Sequence, residues 1–378
     1  MKRLIILLLT ALFVLPSVSW SQGCMEATSE DGVQIIGYIQ AQGDYKFLGK
    51  DDKGKLLDES SFYFNRARLG VTGNIPYDFS YYLITELSQT LNGADTKSGP
   101  FILDAFVSYN RFAPYVKVAV GQFKSPFGIE LLTPCHKLHT INRALAVNQL
   151  VNPLRDQGIM LSGSTGEMKI FGMETKNFIG YNLAVMNGSG INKRDENGKK
   201  DIVGRLTLHP VEFLTLGASY RFGKQKPLLA TATKDDERKR LGFDAEVNFK
   251  NFLVQGEFVQ GEDIGSYTTG GGCSGEVEVH EGSVKRNGYF VQALYMTPWK
   301  IQPVVRFERF DPNLDINSDE LTGASKDTDY IQNSIIYGFN YFFNDKVRFQ
   351  FNYVYNAEEN GLVEKKNDQV LAQMQIIF

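Results

Sequence analysis

Beyond its opening strand, one stretch of this chain carries four cations, Lys124, Lys137, Arg143 and Arg155, opposed there only by Glu130 and Asp156. Such side chains attract anions. The planar arginine fork matches carboxylate or phosphate oxygens, and lysine acts as a mobile point charge. The stretch runs from Val116 to Leu161. It begins as the alternating strand Val116–Gly121 and breaks at Gly121-Gln122-Phe123-Lys124-Ser125-Pro126-Phe127-Gly128. Strand pattern resumes only at Gly158. A connection of roughly thirty residues inside a compact domain is either functional or disordered. This one is rich in Leu, Ile, Ala and Val, which argues against disorder. It is expected to fold inside the surrounding structure and narrow it.

Other residue groupings offer less. Cys135, His136 and His139 are metal-type ligands, but no second cluster completes a tetrahedral site. No metal or cofactor is expected. Asp195-Glu196-Asn197-Gly198 has part of a calcium loop without the terminal Glu. The run Lys234–Arg240 reads as a solvated loop face. His209 and His280 have no evident Ser or Asp partner, so no enzyme is expected. Cys24, Cys135 and Cys273 are odd in number and far apart, unlike a disulfide framework.

The N-terminus supplies an address. Met1-Lys2-Arg3 precedes an apolar run from Leu4 to Pro16, with Ser19 and Ser21 placed for cleavage. Residues 1–21 therefore read as a secretory signal peptide. A lipoprotein signal at Cys24 is the alternative, but Ser21-Gln22-Gly23-Cys24 lacks the usual Leu. Residues 22–32 would be a short periplasmic segment. Without Lys2 and Arg3 the chain holds 38 basic and 43 acidic residues, a net of −5. That balance gives no support to nucleic-acid binding.

From Val33 to Phe378 one unit repeats: a strand alternating apolar with polar or small residues, then a turn. Ala67, Leu69 and Val71 share one face; Arg66, Arg68 and Thr72 share the other. Counting such units gives about sixteen strands, even in number, with short turns at one end and long polar loops at the other. Those loops include Phe47–Ser61, Ser88–Gly99, Lys224–Arg240, Glu262–Lys285 and Asp311–Asn333. The last strand alternates to a terminal Phe378. The fold class is all-β: a transmembrane antiparallel barrel over 33–378 with an inward-folded third loop. A secreted all-β binding protein shows the same alternation. Charges at mid-strand and long strands favour the barrel.

The polar faces line the lumen. Cations there are Arg66, Arg68, Lys117, Arg205, Arg221, Arg306 and Arg348; anions are Glu86, Asp104, Asp244, Glu246, Glu257 and Glu308. The signs nearly balance, so this wall selects weakly. The loop cations tip the balance where the passage is narrowest. Each has a plainer alternative: Arg66 may pair with Glu86, Arg306 with Glu308, and Arg155 may pin the loop end beside Asp156.

Several segments together resemble the phosphate-selective porin O and P family. They are Arg66–Gly73, Gly121–Gly128, Asn142-Arg143, Pro153–Gly158, Leu183–Gly190 and Gln302–Phe310. The segment Gly121–Gly128 is the most specific. The resemblance implies a sixteen-stranded homotrimer in the lipid of the outer membrane of a Gram-negative bacterium. It implies a water-filled channel for small anions, with phosphate and polyphosphate as type substrates, lined by an arginine ladder and a lysine or arginine eyelet. The wall of this chain looks more acidic than a dedicated phosphate channel should be. General anion or small-solute passage is the broader expectation.

Overall fold

Sixteen strands close into one antiparallel ring, as the alternation predicts. The computed structural model describes residues 32–51, 53–76, 78–88, 100–170, 173–229, 234–270, 277–316, 330–359 and 366–378. The ring holds β1 (Gly32–Lys46), β2 (Glu59–Ile75), β3 (Phe79–Glu86), β4 (Phe101–Phe112), β5 (Val116–Lys124) and β6 (Arg155–Ser164). After a small hairpin, β7 (Glu167–Ile170) and β8 (Met173–Lys176), it continues with β9 (Ile179–Met186), β10 (Asp201–Val211), β11 (Leu214–Gln225), β12 (Asp236–Phe249) and β13 (Phe252–Gly270). It ends with β14 (Val277–Tyr295), β15 (Ile301–Asp311), β16 (Gln332–Phe342), β17 (Val347–Glu358) and β18 (Gln369–Ile377). Closure comes from β1 and β18, paired from Tyr38 opposite Ile377 to Lys46 opposite Gln369. A closed ring leaves no unpaired strand edge, a requirement for backbone in hydrocarbon.

The side chains sort as the pattern demands. Leu69, Val120, Ile159, Leu206, Phe243, Val291, Val305 and Ile376 point outward and stay exposed. A continuous apolar band on that scale does not occur on a soluble monomer. Aromatics gather at the short-turn end: Phe213 against Phe249, Phe252 against Tyr295, and Tyr341 against Phe343. They have the place and chemistry of an interfacial girdle. The inward set is polar and buried, including Gln40, Glu86, Gln292, Arg306 and Gln350.

Two expected boundaries are corrected. The loop expected over Lys224–Arg240 ends early, because β12 begins at Asp236. The loop expected over Glu262–Lys285 is mostly strand, because β13 and β14 stay paired out to Gly270 opposite Val277. Backbone pairing needs no alternation in sequence, so this hairpin continues past the apolar band unannounced. The segment Ser164–Asn177 holds the β7–β8 hairpin. The expected signal peptide, nearly all of the short segment after it, Cys24, Cys273 and most of Ser88–Gly99 and Asp311–Asn333 lie outside the described residues.

The thirty residues from Ser125 to Leu154 join β5 to β6, are the third long loop, and fold into the ring. They hold a one-turn helix (Ile129–Leu132), a 3-10 turn (Cys135–Lys137) and a short helix (Leu145–Leu150). Phe127, Leu131, Leu150 and Val151 are wholly buried. Glycines on the wall make room: a Cβ at Gly242 would meet the Phe127 ring at 2.6 Å, and one at Gly288 would meet Ala146 at 2.5 Å.

Val305 faces outward in mid-strand. Replacing it with Arg is expected to destabilise the barrel by about 2–4 kcal/mol when unfolded by denaturant from lipid vesicles. A change near zero would mean that this face does not meet lipid.

Candidate pore constriction

The motif Gly121–Gly128 sets the neck of the loop. Gly121 has φ 137°, and a Cβ there would sit 2.2 Å from the Ala105 carbonyl oxygen. Gln122 donates to the Ile102 and Leu103 carbonyls and accepts from the Asn192 amide. Ser125 ties the two ends of the loop, donating from its amide to Leu154 O and from its hydroxyl to Pro153 O. Gly128 has φ 64°, and a Cβ there would collide with the Glu257 carboxylate. Only glycine meets both demands at that position.

The one-turn helix Ile129–Leu132 is held at both ends, by a carboxyl acceptor at its amides and by cationic donors at its carbonyls. Glu257 accepts the amides of Ile129 and Glu130 at 3.0 and 2.9 Å. At the other end Lys124 donates to the carbonyls of Leu131, Leu132 and Thr133 at 2.9, 3.4 and 3.1 Å. Arg143 donates to Glu130 O, Leu131 O and Thr133 O. These are the groups a helix leaves unsatisfied at its termini.

Beyond Thr133 the chain reaches Cys135, and cations converge there. Arg68 and Arg143 each aim a guanidinium nitrogen at its sulfur, at 3.3 and 3.4 Å. Burial opposes charge on this thiol. Arg143, Arg68, Arg66 and Lys124 outweigh it and hold the thiol well below its usual range. Burial, with Lys137 and Arg348 nearby, pushes His136 down to about 4. Burial beside Arg348 and Arg306 does the same to His139. Neutral rings add nothing to the positive set. Among the described residues, no group of three His, Cys, Asp or Glu side chains is arranged to hold a metal ion.

The other expected cations fall into clear classes. Arg68 pairs with Glu86 at 2.6 Å and also reaches the Tyr38 hydroxyl. The register sets Arg68, not Arg66, opposite Glu86. Arg66 donates to Gln40. Arg155 grips Asp104 through two bonds of 2.9 and 3.2 Å, while Asp156 accepts the Gln157 and Gly188 amides. Arg205 pairs with Asp244, and Arg221 with Asp201. Arg306 pairs with Glu130 on the loop and lies 3.7 Å from Glu308. Lys117 sits seven residues from Lys124 toward the short-turn end, away from the loop neck. Lys137 is exposed on its turn. Arg66, Lys137, Arg143 and Arg348 have no carboxylate partner among the described residues.

Several participants were not singled out from sequence. Arg240 bonds Leu150 O and pairs with Asp263 at 2.6 Å, and Arg286 lies against the same carboxylate. Extending the period-two pattern back from Asp244 through Gly242 would have put Arg240 and Arg238 on the lumen face. Arg348, which the alternation does place on the lumen wall, donates to His136 O and Leu138 O from the opposite side, partners that the sequence did not announce. Cys135 gave no signal beyond its type.

A ring of strands narrowed by a loop that carries cations is the plan of a porin, and sequence comparison decides which. The model for "Phosphate-selective porin O and P" matches residues 37–269, more than half of the chain. The chain belongs to the phosphate-selective porin O and P family. This places it in the outer membrane of a Gram-negative bacterium as a channel. No curated protein matches the chain in sequence. Among solved structures the porin is similar to the anion-selective porin from Comamonas acidovorans (14% identity, TM-score 0.61, 92% of this chain and 100% of that one). It is similar to OmpF of Salmonella typhi in complex with daunomycin (13%, 0.65, 92% and 98%). A trimer form of OmpT from Vibrio cholerae matches at 11% and 0.57, over 92% and 100%. At these identities the solved structures speak for the fold alone.

Because the Cys135 thiol sits against Arg68 and Arg143, which favour its charged form, Cys135→Ala is expected to strengthen anion preference. The reversal potential in a salt gradient across a planar bilayer measures this. An unmoved reversal potential would mean that the sulfur is uncharged.

Proposed function

We propose that this porin passes small anions in preference to cations, through a constriction centred on Arg66, Arg68, Lys124 and Arg143, with inorganic phosphate among its solutes. The carrying observation is where charge is left over. Arg155, Arg205, Arg221 and Arg306 are matched by carboxylates. Arg66 and Arg143 are not, and both lie within electrostatic reach of Cys135 at the narrowed level. A monovalent anion about 8 Å from one such cation gains about 2 kcal/mol at an effective dielectric of about 20, against about 0.5 in bulk water. The same charge thus counts several-fold more at the loop than on a wide wall. Lys137, on the exposed side of its turn, adds to the field at the approach.

Phosphate fits this set through its oxygens. Arg66, Arg68 and Arg143 offer planar donors, and Lys124 a point charge. Several spaced cations also let the ion leave, which one tight cage would not. The porin works as a homotrimer in this reading. The uninterrupted outward apolar band gives monomers a face to pack, and the OmpT relative takes a trimer form. Polyphosphate would use the same oxygens in series. The signal peptide over 1–21 and the short periplasmic segment that follows belong to the same proposal.

Purified porin in planar bilayers under a potassium chloride gradient is expected to reverse at a potential of the chloride sign. Added phosphate should reduce chloride current at millimolar levels. The double replacement of Lys124 and Arg143 by Ala should move the reversal potential toward zero. Cation preference in the unmodified porin would end the anion reading, and an unmoved potential in the double variant would place the filter elsewhere.

A further inference from the structure

The cations that should bind a passing anion are already occupied, and what occupies them is the loop itself. The ammonium of Lys124 has three protons. Three carbonyls, of Leu131, Leu132 and Thr133, surround it, and the side chain is 5% exposed. Every guanidinium nitrogen of Arg143 is engaged, with Glu130 O, Cys135 Sγ, Leu131 O and Thr133 O. On the opposite wall Arg348 holds Leu138 O at 3.0 Å and His136 O at 2.9 Å, also main-chain carbonyls. Its Nε is buried with no hydrogen-bond partner in the structure.

From this we infer that an anion bound at Lys124 and the seated position of the loop exclude each other, so that an entering anion unlatches the segment Leu131–Leu138. The inference rests on the anion reading above. A phosphate oxygen reaches Nζ of Lys124 only by replacing a carbonyl. The exchange is favourable at the cation, because an anionic oxygen adds ion–ion attraction that a neutral carbonyl does not supply. The released carbonyls find water in the lumen. Arg143 and Arg348, which hold the two ends of the segment, lack a carboxylate partner among the described residues. The flanking anchors are different. Arg306 is tied to Glu130, Arg221 to Asp201 and Arg240 to Asp263. The helix Leu145–Leu150 and the loop ends therefore stay in place while the middle moves.

Cys135 reports the state of the latch. Its thiol is 3% exposed when the segment is seated. In porin carrying Cys24→Ser and Cys273→Ser, Cys135 is the one thiol left in the chain. Its labelling by a small water-soluble maleimide would be followed by mass spectrometry in vesicles. Inorganic phosphate is expected to speed labelling roughly tenfold over chloride at equal ionic strength, a coupling of the usual size. Lys124→Gln should label fast in chloride alone, with little further gain from phosphate. Heat-modifiable migration on gels confirms that this variant is folded, and the comparison of salts needs no variant at Lys124. Labelling unchanged by phosphate, or slowed by it, overturns the latch: the anion would then sit beside a fixed loop. So does slow labelling of folded Lys124→Gln in chloride. Reversal potentials on the same preparation separate the two failures. Anion preference with unchanged labelling removes the latch alone, whereas cation preference removes the reading beneath it.

Discussion

A loop folded into a narrow lumen carries its backbone with it, and every amide and carbonyl it brings must find a partner. The loop from Ser125 to Leu154 has little regular structure of its own, so its polar groups turn to the wall. The wall answers with charged side chains sorted by sign. Glu257 takes amides at the start of the first helix. Lys124 and Arg143, with Arg348, Arg221 and Arg240 from the ring, take carbonyls. Much of the lumen's charge thus has a structural use before any solute arrives.

That use explains why a net count of charge misleads. The chain carries a net charge of −3, and its lumen-facing signs nearly balance. Yet most lumen acids are matched locally: Glu86 by Arg68, Asp104 by Arg155, Asp244 by Arg205. Leaving one partner of such a buried pair alone costs about 3–5 kcal/mol, so these pairs are fixed parts of the wall. Under the proposed function, what a solute senses is the remainder near the loop, on Arg66, Arg143 and Lys137.

The ring was legible because strand alternation states which face each side chain takes. Arg66, Arg68, Glu86, Arg306 and Arg348 were all assigned inward from that rule, and all are buried inside. The inward third loop was legible from its length, its apolar residues and its glycine-bearing neck. Partners were not legible. Period two fixes a face but not a register, and a shift of two residues keeps the face while exchanging Arg66 for Arg68 opposite Glu86. Arg240 escaped because a dense charge run looks like solvated loop when it is in fact strand. The convergence of four cations on Cys135 joins residues from β2, the end of β5 and the loop. It exists only after the ring has closed and the loop has seated.

The acids on the wall can then be weighed again. Read from sequence, Glu257 and Glu308 counted against anion passage. In the folded chain Glu257 holds the amide end of the helix whose carbonyl end is clasped by Lys124 and Arg143. Removing that carboxylate would leave two buried amides unsatisfied, at about 1–3 kcal/mol each. An anion pore built around an inward loop therefore keeps acids where loop amides need them and leaves cations in excess where loop carbonyls end. The placing of carboxyl acceptors and cationic donors around the loop follows from the direction of one short helix.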